Sequence, residues 1–417
     1  MSLSAVVFYS AEQLMRVAGL TLLERAVLSL RRGGISRVGV VVGPDEKAAL
    51  DRWLPTSRLA SDPPSLLVAS SEGDQARAEA AAAFDPRPDL VLRHPVAIDW
   101  GFVSGIRAAM DQDPDLEAHT ADGAVWIRPR SPGGPSRRLE AASLGGTAVS
   151  VVDRAAVRRA RRTLIRQSIK PLEIDGIVCY LLIRRLSVRL TALMLPFPLT
   201  PNLITGLSVL LGLAAGVAVA TGVHRWTVVG GAMLMVSLVL DNCDGEVARV
   251  KHQFSDWGAW FDIYGDFVVN AAFMAGMAVG AWRRFDQPVY LYAGGFALFA
   301  VTFYNATVFR HIHRLGIPDE FLFKWWFDQE ADAAAREGDA PQPEPVASSV
   351  GPTSLGRLLS GLKYLGRRDF FIFAYLMTAI FGVLHWAFWA TVAGAALNFV
   401  MISYQVLFWK GVSDASE

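Results

Sequence analysis

The chain lacks an excess of charge of either sign. Forty Lys and Arg face 39 Asp and Glu for a net charge of +1, so it has no basic footprint for nucleic acid. Cysteine is nearly absent. The two present, Cys179 and Cys243, have neither CxxC spacing nor a His-rich tract beside them, which argues against a disulfide framework and a zinc site. The opening MSLSAVVFYSAEQ has no basic n-region, apolar core or small-residue cleavage site. It does not read as a signal peptide, and the first half is expected to stay in the cytoplasm. Charge of any kind is also sparse, at 19% against 52% hydrophobic residues. That balance is too apolar for a soluble chain and too polar for one embedded throughout, so a soluble domain joined to a membrane domain is expected.

Residues 1–165 alternate short β-like runs (SAVVFYS, RVGVVVG, SLLVAS, PDLVLRHP) with helical patterns, of which TLLERAVLSLRRGG is the clearest. This alternation predicts an α/β domain on a parallel sheet. DGAVWIRPR and GTAVSVVD read as later strands, and DRAAVRRARRTLIRQSIK as a basic helix leading towards a membrane. The second domain, 166–417, is expected to be all-α. It opens with an amphipathic segment, 172–195, whose Arg184, Arg185 and Arg189 suit a bilayer surface, although an ordinary surface helix has the same pattern. Six apolar stretches follow, near 203–221, 226–247, 257–282, 287–309, 370–385 and 387–409, each a candidate to cross a ~30 Å hydrocarbon core. The polar, Pro/Ala-rich insert after the fourth reads as a loop. Arg310, Arg314, Lys324, Arg357, Lys363, Arg367 and Arg368 share a side with the arginine-rich 154–189 stretch, while Arg225, Arg283 and Arg284 lie opposite. The positive-inside rule then predicts a cytoplasmic location for the soluble domain, the 310–368 loop and the C-terminus.

The chemistry concentrates in LDNCDGEVARVKHQFSDWGAWFDIYGDF. Asp241, Asp244 and Ala248 fall three and four apart on one helical face, with Gly245 leaving room beside them. Gly258, Asp262 and Asp266 repeat every four residues on the next helix. Four carboxylates at a membrane are costly unless neutralised, and one or two hard divalent cations are the natural partners. Two such ions can clamp a pyrophosphate. Arg249 offers a phosphate fork, and glycines 245 and 258 allow a nucleotide to approach the backbone.

The run Asp241-x2-Asp244-Gly245-x2-Ala248-Arg249-x8-Gly258-x3-Asp262-x3-Asp266 resembles the full signature of the CDP-alcohol phosphotransferases. Eight fixed positions would coincide by chance on the order of 10⁻⁷ times in such a chain, so the likeness is specific. The resemblance extends over roughly 170–410 and includes the Thr200-Pro201-Asn202 turn with Thr205. It implies six membrane helices, metal ligation by Asp241, Asp244 and Asp262, and Asp266 as general base on the acceptor hydroxyl with a possible metal contact of its own. Gly245, Ala248, Arg249 and Gly258 would line the cytidine diphosphate site. The implied cofactors are Mg²⁺ or Mn²⁺, as two ions. The implied partners are a CDP-alcohol donor, an alcohol acceptor, the lipid bilayer and a second copy in a homodimer. Arg367, Arg368 and Asp369 could hold an acceptor phosphate, although a positive-inside anchor explains the two arginines equally well. Interfacial or packing roles are expected for His311, His313, Trp257, Trp260 and Cys243.

AGLTLLERAVLSLRRGGISRVGVVVG resembles the early part of sugar-phosphate nucleotidyltransferases, through Gly19-x2-Leu22-Leu23-Glu24-Arg25. The stretch after the first run, FYSAEQLMRVAG, lacks the glycines and lysine that hold a triphosphate, so a degenerate, inactive domain is expected. The alternative is a bifunctional enzyme that also makes its CDP-alcohol, with Asp74, Asp99 and Asp122 as carboxylates to inspect. Such a fusion resembles inositol-phosphate cytidylyltransferases joined to di-inositol-phosphate phosphate synthases, which favours a CDP-polyol donor over CDP-diacylglycerol. An ion-coupled transporter is the rival of another class, but a single aspartate cluster without an internal repeat speaks against it.

Overall fold

The computed structural model describes residues 3–316 and 367–408, apart from 72, 85–87, 114–115, 121–122, 129–136, 140–143, 145, 170–175 and 177. It divides into two compact units. One comprises 1–169 with 191–198 and 246–253, and the other 170–190, 199–245 and 254–417.

The first unit is α/β. Its elements are β1 (Ser4–Phe8), β2 (Arg16–Val17), β3 (Leu20–Thr21), α1 (Leu22–Arg32), β4 (Arg37–Val42), α2 (Pro44–Trp53), β5 (Ser65–Val68), α3 (Asp74–Ala82), β6 (Leu90–Leu92), β7 (Val96–Ile98), α4 (Trp100–Gln112), β8 (Ala118–Thr120), β9 (Val125–Ile127), β10 (Arg137–Leu139), β11 (Ala148–Ser150) and α5 (Arg154–Gln167). Seven strands form one sheet in the order β10-β8-β9-β6-β1-β4-β5. β1 pairs in parallel with both β4 and β6, and β4 with β5, whereas β9 runs antiparallel to β6 and β8. The sheet is therefore rich in parallel pairs, as the alternating pattern predicts. The antiparallel β9 is the strand inside DGAVWIRPR.

Both faces of the sheet are buried, which explains why β1 reads as a continuous apolar run. Ala5 and Val7 join one core with Val38, Val40, Leu90 and Leu92, while Val6 and Phe8 join a second with Val41 and Val91. Helix α1 turns Leu23, Ala26, Val27 and Leu30 into the first core at helical spacing. A capping box starts it: Thr21 Oγ1 accepts from Glu24 N at 3.2 Å, and Glu24 Oε2 accepts from Thr21 N at 2.9 Å. Residues 246–253 are tied into this unit through polar contacts. Arg58 Nη1 donates to the Lys251 carbonyl at 2.5 Å, Lys251 Nζ donates to the Phe197 carbonyl at 2.8 Å, and Thr191 Oγ1 donates to buried Glu246 at 2.7 Å. His252 Nε2 lies 3.3 Å from Ser29 Oγ.

The second unit is helical. After a π-helical turn, Cys179–Ile183, come α6 (Arg184–Met194), α7 (Pro201–Ala220), α8 (His224–Lys251), α9 (Asp256–Phe285), α10 (Val289–Leu315), α11 (Arg368–Ile380) and α12 (Leu384–Phe408). The last turns of α6 and α8 are counted with the first unit. Among the described residues α7, α8, α9, α10 and α12 are long and apolar enough to cross a membrane. The remaining expected stretch, 370–385, is divided between α11, whose 13 residues span about 20 Å at 1.5 Å per residue, and the start of α12. Helix α11 ends at Ile380, and Gly382 just beyond it has a left-handed φ of +72°. Lys324, Arg357 and Lys363 fall outside the described residues.

In the amphipathic segment Leu181, Leu182, Leu186 and Leu193 are exposed beside Arg185 and Arg189, while Arg184 is turned inward. Helices α7 and α9 meet backbone to backbone. A Cβ on Gly276 would strike the Gly216 carbonyl oxygen, and one on Gly216 would come within 2.7 Å of the Ala272 oxygen. Small residues permit this approach, which carries the aspartates of α9 close to α7.

Candidate active site

The site is built where α8, α9 and the starts of α7 and α11 converge within the second unit. Thr200 caps α7, accepting from Leu203 N at 3.3 Å, and Pro201 occupies the first helical turn, where its missing N–H is no loss. Gly258, at the start of α9, faces this turn. A Cβ there would sit 2.5 Å from Asn202 Oδ1, so any side chain at 258 would force the Asn202 amide to move. The N-terminus of α9 is capped by Ser255, which accepts from Gly258 N at 3.2 Å.

Asp241 and Asp244 on α8 and Asp262 on α9 bring one ligand atom each to within 4.8 Å of one another. Asp244 is buried and Asp241 and Asp262 are half-buried. Asp244 Oδ2 lies 2.5 Å from the hydroxyl of buried Thr205, which is also 3.1 Å from the Pro201 carbonyl. The hydroxyl has one proton, and the shorter, charge-assisted contact to the carboxylate takes it. Asp266, one turn beyond Asp262, is engaged differently. Its Oδ2 is ion-paired with Arg368 Nη1, and the same nitrogen is 3.4 Å from Asp241 Oδ2. Three converging carboxylates are the oxygen-only donor set that hard divalent cations prefer, so the residues present fit such an ion.

Gly245 lies on α8 next to Asp244. Ala248 and Arg249 follow on the same helix within the stretch counted with the first unit, where Arg249 Nε donates to the Ser168 carbonyl at 2.6 Å. Cys243 is fully buried with its Sγ 3.5 Å from the Ser187 carbonyl. Trp260 stacks on His313 at 3.9 Å, and Tyr264 Oη lies 2.6 Å from His313 Nε2, while Trp257 is exposed. In the first unit Asp74 opens α3 at the surface. Asp99 caps α4, accepting from Phe102 N at 2.8 Å and Thr147 N at 3.1 Å, and burial pushes its carboxyl upward. Asp122 lies outside the described residues.

The family model for CDP-alcohol phosphatidyltransferases matches residues 198–325, a span that contains every position of the aspartate signature. Residues 198–325 are a CDP-alcohol phosphatidyltransferase domain. Thr205 and Asn202 also belong to this phosphatidyltransferase domain, whereas Arg368 lies beyond its matched end. The chain is 29% identical over 147 residues to a bifunctional IPC transferase and DIPP synthase of Aquifex aeolicus, covering 35% of this chain and 33% of that one. A protein of the same name from Thermococcus kodakarensis is 30% identical over 142 residues, covering 34% and 31%. The matches thus span about a third of the length of these curated relatives. A solved phosphatidylinositol phosphate synthase of Mycobacterium tuberculosis aligns at 16% identity and a TM-score of 0.36, over 56% of this chain and 99% of that one.

Two contacts of the site escape sequence reasoning. The Thr205–Asp244 bond joins residues 39 apart, and the Arg368–Asp266 pair joins residues 102 apart. Thr205 stands beside the recognisable Thr-Pro-Asn turn and Arg368 opens an apolar stretch, but neither position announces its partner. A third contact supports them. Buried Asp369 accepts from Cys179 N at 2.8 Å, and a Cβ on Gly176 would strike its carboxylate.

Proposed function

We propose that the protein is a divalent-metal-dependent CDP-alcohol phosphotransferase, transferring a phospho-alcohol or phosphatidyl group to an acceptor hydroxyl with release of CMP. The convergence of Asp241, Asp244 and Asp262 within 4.8 Å, inside the matched domain, carries this reading. These residues would hold Mg²⁺ or Mn²⁺, which when bound neutralises the pyrophosphate and stabilises the leaving oxygen. Asp266, with Asp262 one turn behind it, takes the proton of the acceptor hydroxyl. The acceptor oxygen then attacks the alcohol-bearing phosphorus, the bond from that phosphorus to the CMP oxygen breaks, and CMP leaves. Gly245, Ala248, Arg249 and Gly258 line the cytidine diphosphate, the glycines by leaving space and Arg249 through its guanidinium.

The α/β domain (1–165) is read as nucleotidyltransferase-like and inactive, because a 3₁₀ turn, Ala11–Leu14, follows β1 where a phosphate-cradling glycine loop is needed. The second reading is a bifunctional enzyme, favoured by the names of the Aquifex and Thermococcus relatives. Those names also favour a CDP-polyol donor with a phosphorylated polyol as acceptor. The helical domain (166–417) is read as lying in the cell membrane, with the α/β domain and the aspartates on the cytoplasmic side, on the strength of the arginine-rich 154–189 stretch; the homodimer rests on the family resemblance alone.

The test is CMP release by purified protein in detergent with Mg²⁺ or Mn²⁺, offering CDP-diacylglycerol or CDP-inositol with free and phosphorylated alcohols. Acceptor-dependent release is expected, with Asp266→Asn retaining donor binding but not turnover. Substantial residual turnover in that variant would remove Asp266 from the role of base.

A further inference from the structure

The three-aspartate set and Asp266 are not equivalent. Asp241, Asp244 and Asp262 converge on a common point, whereas Asp266 is held by Arg368, which also reaches Asp241 Oδ2 at 3.4 Å. One guanidinium nitrogen therefore bridges the fourth carboxylate to the first. Building on the metal reading above, we propose that Arg368 is a tethered cation occupying the place of a second divalent ion, so that the site loads its ions in a fixed order.

The first ion needs only the three converging carboxylates. A second ion would need Asp266 together with an oxygen of Asp241, and Arg368 directs its protons at one oxygen of each. A hard cation binds a carboxylate oxygen at about 2.0–2.6 Å, a distance that leaves no room for an N–H on the same lone pair. Charge points the same way. Four carboxylates carry −4, which Arg368 reduces to −3 and a first divalent ion to −1. A second divalent ion entering beside an undisplaced guanidinium would meet a net charge of −1 and the cation's own repulsion, against −2 once Arg368 has swung away, so charge favours its replacing the arginine.

Arg368 is suited to leaving. Its side chain is 26% exposed, and its buried Nε has no hydrogen-bond partner among the described residues, so the contacts to Asp266 and Asp241 are what hold it. The backbone, in contrast, is fixed. Arg368 is the first residue of α11, and its neighbour Asp369 is bonded to Cys179 N at 2.8 Å. The guanidinium can swing while the helix stays in place.

The test is Mn²⁺ titration of the full-length protein in detergent, without nucleotide, following free Mn²⁺ by its electron paramagnetic resonance signal. Wild type is expected to show one tight and one weak ion. Arg368→Gln should leave the first unchanged and tighten the second by about tenfold or more, the worth of a hydrogen bond to a charged group. Arg368→Lys, which keeps the charge without the fork, should fall between the two, and it carries the test if the glutamine variant does not fold. A second-ion affinity within twofold of wild type in both variants overturns the proposal while leaving the metal reading intact. Loss of the tight ion in Asp262→Asn is expected. Its retention there would overturn the metal reading, and this inference with it.

Discussion

Replacing Thr205 by valine keeps the side-chain volume nearly constant and removes one hydroxyl. That hydroxyl is 2.5 Å from Asp244 Oδ2, and both residues are buried, at 4% and 6% exposure, so water cannot readily take its place. A hydrogen bond to a charged group is worth about 1.5–3 kcal/mol, which corresponds to roughly a 10- to 150-fold change in an equilibrium constant. Partners that orient metal-binding carboxylates generally fall in the lower part of that range, at about 10–100-fold. Thr205→Val should therefore raise the Mn²⁺ concentration giving half-maximal CMP release by at least about tenfold, with a matching loss in directly measured Mn²⁺ affinity. Thr205→Ser, which restores the proton donor, should return both towards wild type. A Thr205→Val midpoint within twofold of wild type would refute the idea that this hydroxyl holds Asp244 in its ligating position. So would a serine variant as impaired as valine.

Two further outcomes test the frame around the site. Gly276→Ala should lower the thermal unfolding temperature in detergent, because its new methyl meets the Gly216 carbonyl; overpacking of this kind costs about 1–3 kcal/mol. Gly295→Ala on α10, with nothing within 4 Å, should cost nothing, and equal losses in the two would contradict the close-contact account. His252 is pushed down to about 3 by burial first and then by Arg25, Arg32 and Arg58. The unfolded chain takes up a proton near pH 6.5 and the folded one does not, so this group's contribution is complete above about 6.5. It is lost as pH falls from about 6.5 towards 3. Stability of the full chain should decline across the upper part of that window, from about pH 6.5 to 5, and His252→Gln should flatten the decline; an unchanged slope would show that His252 is not responsible.

What the sequence discloses and what it hides divide along physical lines. The aspartates are legible because helical periodicity fixes their spacing within two neighbouring segments, and no long-range information is needed to place 241 with 244 or 262 with 266. The parallel-rich sheet is legible for a similar reason, since β1, β4 and β6 are buried on both faces and show it as unbroken apolar runs. For Arg368 and Asp369 at the start of α11 the sequence leaves two readings open, an acceptor-phosphate site or, for the arginine, a positive-inside anchor, and only the fold shows one reaching Asp266 and the other Cys179. Arg249 is singled out by its place in the signature, but nothing in the sequence shows that its Nε donates to the Ser168 carbonyl. Backbone carbonyls leave no trace in a sequence, so contacts of this type cannot be anticipated. The short β7, β8 and β10, three residues each, carry too few positions for any period to be visible.

The glycine seam between α7 and α9 bears on how such a protein can be altered. With carbonyl oxygens standing where side chains would begin, the two helices have no slack along which to slide or rotate. A change at Gly216 or Gly276 would be felt at Asp262 and Asp266 as a change in carboxylate spacing. Freedom lies instead on the outward faces, where Leu207, Leu210 and Val217 are exposed and could be exchanged for other apolar residues. An engineer seeking a hardier protein would work from those outward positions, leaving the seam as the fixed datum against which the aspartates are set.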